Sequence, residues 1–190
     1  MFAIAGVTGN TGSVVAETLL AAKAPIRVIV RDAAKGAAWK ARGAEVAIAD
    51  LGDVAALTAA FAGVQGAYVL LPPRPTSTAP LADNHAVADA IAAAVAAAKV
   101  PHVVLLSSVG AQHPSGTGPI ATVHYAEQVL AKVTTWTAVR AASRAARPTL
   151  AAARRSPRRA ACARCSPRRA PTPRRAGGSA GSGSPRGSSG

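Results

Sequence analysis

The sequence predicts an α/β fold built on a doubly wound parallel sheet, and three observations carry that prediction. First, short β-branched or apolar runs alternate with longer segments of helical periodicity through residues 1–140. Second, the strand runs are too apolar to have a wet face, as expected of a parallel sheet covered on both sides. Third, a glycine-rich turn, Gly6-Val7-Thr8-Gly9-Asn10-Thr11-Gly12, follows the first strand and opens the first helix. Right-handed crossovers then favour the strand order 3-2-1-4-5-6.

The elements follow in order. Met1–Ala5 is the first strand, and Thr11–Ala22 reads as the first helix. Ile26–Val30 is a β-branched run and the second strand. Ala33–Arg42 is a short helix ended by Gly43. Glu45–Ala49 is the third strand. Asp53 is placed to cap the helix Val54–Ala62, whose Val54, Leu57 and Phe61 share a face. Ala67–Leu71 is the fourth strand, stopped by Pro72-Pro73. Residues 72–82 read as a loop, and Asn84–Lys99 as a long helix with Val87, Ile91 and Val95 on its core stripe. His102–Leu106 is the fifth strand, ending at Ser107-Ser108. A loop over Val109–Ala121, a helix over Val123–Ala131 and a sixth strand from Thr135 complete the pattern.

The net charge of +14 is not spread through this pattern. Residues 1–140 hold ten Lys/Arg and all eight Asp/Glu, whereas residues 141–190 hold twelve arginines and no acid. The charge therefore describes a tail and not the fold. Beyond residue 141 Leu150 is the only large apolar side chain. Such a segment cannot bury enough surface to offset its ordering entropy, so residues 143–190 are expected to be disordered. The expected division is 1–142, a folded nucleotide-binding domain, and 143–190, the tail. The repeat of Ser156-Pro-Arg-Arg159 as Ser166-Pro-Arg-Arg169 gives the tail weak polyanion binding and no specific nucleic-acid role. Cys162-Ala-Arg-Cys165 lacks a second ligand pair, so no metal is expected. No apolar run reaches the ~18 residues of a membrane span. No basic n-region precedes Met1–Ala5, so the expected location is cytoplasmic.

The chemistry of the site starts at the glycines. A pyrophosphate approaches unpaired N–H groups at a helix N-terminus, and a Cβ in that position obstructs it. Ligands of such sheets sit beyond the carboxyl ends of the strands. Arg31, Asp50, Pro72 and Ser107 lie at those ends, with Leu71 beside Pro72. The expected cofactor contacts are therefore Gly6, Thr8, Gly9, Asn10, Thr11, Gly12, Arg31, Asp50, Leu71, Pro72 and Ser107. An arginine after the second strand suits the 2′-phosphate of NADP, while the adjacent Asp32 leaves NAD open. Asp50 either hydrogen-bonds the adenine edge or starts the turn before Leu51-Gly52. No residue is assigned as catalytic. Ser107-Ser108 stands where a short-chain dehydrogenase places its serine, but Tyr125 is followed four positions on by Val129. The Tyr-x-x-x-Lys acid–base pair is missing. His124 and Glu127 share a helix face at i, i+3, as a proton relay or as a solvated or capping pair.

Gly6–Gly12, Val30-Arg31-Asp32, Gly66–Pro73, Leu106–Ala111, His124, Glu127 and Trp136–Arg140 together resemble the NmrA-like family, atypical relatives of the short-chain dehydrogenases. The resemblance covers about residues 1–142. It implies a Rossmann-type NAD(P)-binding domain, with the glycines, Arg31 and Asp50 as cofactor contacts. It implies either an NAD(P)H-dependent reductase, often of quinones, or a redox sensor that binds cofactor and a partner without turnover. Family members continue past the sixth strand into a smaller substrate domain. Here Arg140-Ala141-Ala142 runs instead into Ser143-Arg144-Ala145-Ala146-Arg147. The tail's residues are those of GC-rich codons, which points to a shifted reading frame near residue 143. Sequencing the coding DNA tests this.

Overall fold

The computed structural model describes residues 1–73 and 76–142. The expected tail disorder, the arginine repeats and the cysteine pair fall outside the described residues. Six strands form one sheet in the order β3-β2-β1-β4-β5-β6, every neighbouring pair parallel. They are β1 (Phe2–Ala5), β2 (Ile26–Val30), β3 (Glu45–Ile48), β4 (Gly66–Leu70), β5 (His102–Ser108) and β6 (Thr135–Ala141). The helices are α1 (Asn10–Ala21), α2 (Ala33–Ala41), α3 (Val54–Phe61), α4 (Pro80–Ala97) and α5 (Ala121–Leu130), the last entered through a 3-10 turn at Gly118–Ile120. None of the described helices is long and apolar enough to cross a membrane.

Strand alternation divides the core into two layers. Ala3, Ile29, Val69, Val103 and Leu105 pack with α3, α4 and α5 through Leu57, Phe61, Val87, Ile91, Val95 and Leu130. Ile4, Val28, Val30 and Tyr68 pack with α1 and α2 through Ala16 and Trp39. Arg27 is a charged residue inside β2, and its guanidinium finds three partners. It donates to the carbonyls of Ala60 (2.8 Å) and Ala62 (2.9 Å) at the end of α3 and pairs with Glu45 at 2.9 Å. It thereby satisfies carbonyls that a helix C-terminus leaves free.

Two sequence expectations change. α4 starts at Pro80, inside the expected loop, because proline suits the first helical position, where its missing N–H is no loss. Among the described residues the sheet is also not covered on both sides along its whole width. On the α1 face Thr135, Thr137 and Val139 of β6 are exposed, Val139 at 46%, whereas Trp136 and Ala138 on the other face are half-buried. Helices α1 and α2 pack against β1, β2 and β3, and among the described residues no helix follows β6 to cover the far end.

Candidate functional site

A cavity of about 590 Å³ opens at the carboxyl ends of β1, β2, β3 and β4. The glycine turn lines one wall through Gly6, Thr8, Gly9 and Thr11, and Arg31 and Lys35 line the end beyond β2. Asp50 and Leu51 come from beyond β3, and Leu70, Pro72 and Pro73 from the end of β4. Thr76, Ser77 and Asp83 close the far side. There the Ser77 hydroxyl donates to Asp83 at 2.6 Å and accepts from the Ala79 N–H at 3.0 Å, which fixes the entry to α4.

The three glycines of the turn serve three different ends. Gly6 has φ +71°, and a Cβ there would run into the Leu70 side chain. Gly12 sits where α1 crosses β1. A Cβ would collide with the Gly6 carbonyl and reach within 2.9 Å of the Ala5 oxygen. Gly9 has ordinary extended backbone (φ −103°, ψ 173°), and a Cβ would meet only the Gly6 oxygen at 3.4 Å. Of the three, only Gly9 leaves space that the protein itself does not need.

The helix ends explain the electrostatics. Asp32 caps α2, accepting from the Ala34 N–H at 2.9 Å, and Asp53 caps α3, accepting from the Ala56 N–H at 3.0 Å. By contrast, α1 has no side-chain cap and no acidic residue in its first turn. The N–H groups of Asn10, Thr11 and Gly12 have no acceptor within the helix, so this end presents donors and the positive pole of the helix dipole. Such an end accepts an anion without further preparation. Arg31 and Lys35 put two cations at the other end of the same cavity. The space, the free N–H groups and the separated cations fit a dinucleotide with a pyrophosphate in its middle and a further phosphate on its adenosine ribose.

The expected contacts separate on this geometry. Gly6, Thr8, Gly9, Thr11, Arg31, Asp50 and Pro72 line the cavity together. Asn10, which is exposed, and Gly12, which is buried, do not line the cavity. Asp50 makes the turn, accepting from the Gly52 N–H at 2.8 Å, and lines the cavity as well. Leu71 packs against the α3–α4 layer, and Leu70 takes the cavity side. Ser107 is outside the cavity lining.

Ser107 instead belongs to a network at the ends of β5 and β6. It is 5% exposed and donates to Glu127 Oε1 at 2.7 Å. Arg140 donates to the same carboxylate through Nε (3.0 Å) and Nη2 (2.6 Å). His124 Nδ1 lies 2.7 Å from the Ala111 carbonyl. His124 and Glu127 therefore have separate partners, and Glu127 is neither a solvated nor a capping residue. Burial pushes the Glu127 carboxyl up, but the hydrogen bonds from Arg140 and Ser107 and the Arg140 charge outweigh it. The carboxyl is held below its ordinary value of 4.5. The Ser107 proton is committed to Glu127 and is not free for a substrate carbonyl. The Tyr125 hydroxyl likewise donates to Asp89 at 2.8 Å, which, with some burial, raises its pKa.

A pH dependence follows. A depressed carboxyl contributes stability that is present above the unfolded pKa and lost as pH falls through the folded pKa. The protein should lose this contribution as pH drops below about 4.5, the ordinary carboxyl value. Glu127→Gln should lower the melting temperature by several degrees at pH 7 and flatten the decline in acid. A variant that melts like the wild type at pH 7 and keeps the full acid dependence would show that Glu127 does not hold the strands.

Lys35 and the Glu127–Arg140 pair were not singled out from sequence. Lys35 had a readable signal. It lies in the first turn of the helix that follows Arg31, near the carboxyl end of the second strand. The pair had none, since thirteen residues and a loop separate its members.

The family model for the NmrA-like family matches residues 1–144. The chain is similar to the NAD(P)H azoreductase of Xenophilus azovorans, with 36% identity over 111 residues, covering 58% of this chain and 36% of that protein. Among solved structures it is similar to the NADPH-dependent quinone oxidoreductase of Escherichia coli in complex with NADPH. The TM-score is 0.60 at 30% identity, covering 74% of this chain and 48% of that one. It shares its fold with the triphenylmethane reductase of Citrobacter sp. complexed with NADP(H), with a TM-score of 0.65 at 24% identity over 74% of this chain and 49% of that one. The chain thus spans about half or less of the length of these proteins. A match over residues 1–144, on a six-stranded sheet with its cavity at the glycine turn, means that the chain belongs to the NmrA-like family.

Proposed function

We propose that residues 1–142 bind NADP(H) and serve an oxidoreductase acting on a quinone-like acceptor. The observation that carries this reading is the uncapped N-terminus of α1 facing a cavity whose other end holds Arg31 and Lys35. The Asp32 carboxylate is engaged at the start of α2 and does not line the cavity, which favours NADP over NAD. Bound NADPH would supply a hydride. A quinone-like acceptor takes its protons from water, so the chemistry does not depend on a tyrosine–lysine pair or on a free Ser107 proton. The similarity to an azoreductase and to quinone oxidoreductases supports an electron-poor acceptor. A reductase drawing on NADPH works where that cofactor is supplied, and the cytoplasmic expectation forms part of this proposal.

A second reading is a redox sensor that binds cofactor and signals to a partner. It is favoured by the committed Ser107 and Tyr125 hydroxyls. NADPH oxidation with a panel of quinones, alongside calorimetric binding, separates the two. Turnover supports the reductase. Binding without turnover leaves the sensor, and equal affinity for oxidised and reduced cofactor then counts against that as well.

A further inference from the structure

Among the described residues two buried side-chain polar atoms have no hydrogen-bond partner, Asn84 Oδ1 and Thr117 Oγ1. Such atoms are rare, because burial removes their water and gives no bond in return. Both belong to segments that leave the carboxyl edge of the sheet beside the cavity. Asn84 is in α4, which follows β4, and Thr117 is in the loop that follows β5. A hydroxyl rotates to reach a partner. The Asn84 amide, on a packed helix, has less freedom to do so.

α4 holds Asn84 in a fixed direction. One side of the helix is fastened to α5. His85 stacks on Tyr125 with ring centroids 4.0 Å apart, and Asp89, one turn on, accepts from the Tyr125 hydroxyl. The side that carries Val87, Ala88, Ile91 and Val95 is buried in the core. Asn84 stands one turn before Val87 and Ala88 on that side, so its amide extends the stripe to the carboxyl edge of the sheet. Leu71, the residue after β4, packs on the same layer. The cavity lining reaches α4 at Asp83, the residue before Asn84. Packing alone asks for an apolar side chain at this point of the stripe.

The direction of the dinucleotide decides which part of it arrives here. With the 2′-phosphate at Arg31 and Lys35 beyond β2 and the pyrophosphate at α1 beyond β1, the other half continues toward the ends of β4 and β5. These are the next strands of the sheet. That half ends in a carboxamide, with N–H donors and a carbonyl acceptor, and an asparagine amide carries the same groups. We infer that Asn84 holds the nicotinamide carboxamide, its Oδ1 accepting an N–H and its Nδ2 donating to the carbonyl. The pair fixes which face of the ring meets the acceptor. This assignment rests on the NADP(H) reading of the cavity.

Isothermal titration of the full chain tests it with three ligands. They are NADP⁺, 2′-phospho-ADP-ribose, which lacks the nicotinamide, and the 3-acetylpyridine analogue of NADP⁺, which keeps the carbonyl and lacks the N–H. Asn84→Leu, similar in size, should weaken NADP⁺ roughly tenfold and leave 2′-phospho-ADP-ribose unchanged. A variant that weakens both ligands alike, or neither, overturns the assignment. If the variant fails to fold, the wild type decides. It should bind the acetylpyridine analogue roughly tenfold more weakly than NADP⁺, and equal affinity overturns the assignment. A wild type that binds neither NADP⁺ nor 2′-phospho-ADP-ribose defeats the cofactor reading itself, and this assignment with it.

Discussion

Gly12→Ala should be the most damaging small substitution in the chain, lowering stability by about 3 kcal/mol or more. The added methyl would collide with the Gly6 carbonyl and press on the Ala5 oxygen. Both obstacles are backbone of β1 and its turn, so no side chain can swing aside. α1 would have to lift from the sheet, opening the layer that Ala16, Ile4 and Val28 share. Against a typical total of ~5–15 kcal/mol, that loss is large. Urea unfolding measures it. Gly9→Val is the control, since its backbone is extended and its Cβ meets only the Gly6 oxygen at 3.4 Å. Gly9→Val should keep most of the stability yet weaken NADPH and NADH alike, because its side chain fills the space before the α1 N-terminus. Equal unfolding midpoints for Gly12→Ala and the wild type would refute this division of roles.

Arg31→Ala/Lys35→Ala should weaken NADPH binding roughly a hundredfold while changing NADH by a small factor. Hydrogen bonds to charged groups contribute about 1.5–3 kcal/mol each, and a phosphate dianion between two cations receives both. The two cations share one ligand, so the single substitutions need not add to the double. Arg31 should carry the larger part, since its planar fork matches phosphate oxygens better than an ammonium does. Added salt should narrow the difference, because both side chains are exposed. Isothermal titration of the wild type, both single variants and the double variant with each cofactor supplies the comparison. If the double variant loses NADH as strongly as NADPH, the cations are not reading the 2′-phosphate.

Much of this architecture was legible because its signals are local. Apolar runs gave the six strands, crossover handedness gave their order, and the glycine turn marked the carboxyl edge where Arg31, Asp50 and Pro72 meet. Leu71 packs on the α3–α4 layer, and its neighbour Leu70 lines the cavity. Alternation from Tyr68, which faces α1, puts Leu70 on the cavity side. α4 begins at Pro80, inside the expected loop, because proline suits the first helical position. The glycines were read as serving the ligand together, and only the packing around each Cβ position separates Gly6 and Gly12, which serve the fold, from Gly9. The Ser107–Glu127–Arg140 network joins β5, α5 and β6 across the fold, and no periodicity or local spacing announces such a contact. That the described residues leave β6 without a helix on its α1 side was hidden for a similar reason: apolar strand composition implies a cover but does not say which segment provides it.

The central claim is that this cavity binds NADP with its pyrophosphate at the α1 N-terminus and its 2′-phosphate at Arg31. A crystal structure of the full chain with NADP⁺ tests it most directly. The account predicts pyrophosphate oxygens on the N–H groups of the Asn10–Gly12 turn and the 2′-phosphate within hydrogen-bonding distance of Arg31 and Lys35. An adenosine ribose held by Asp32 or Asp50, with Arg31 and Lys35 turned to solvent, would contradict it.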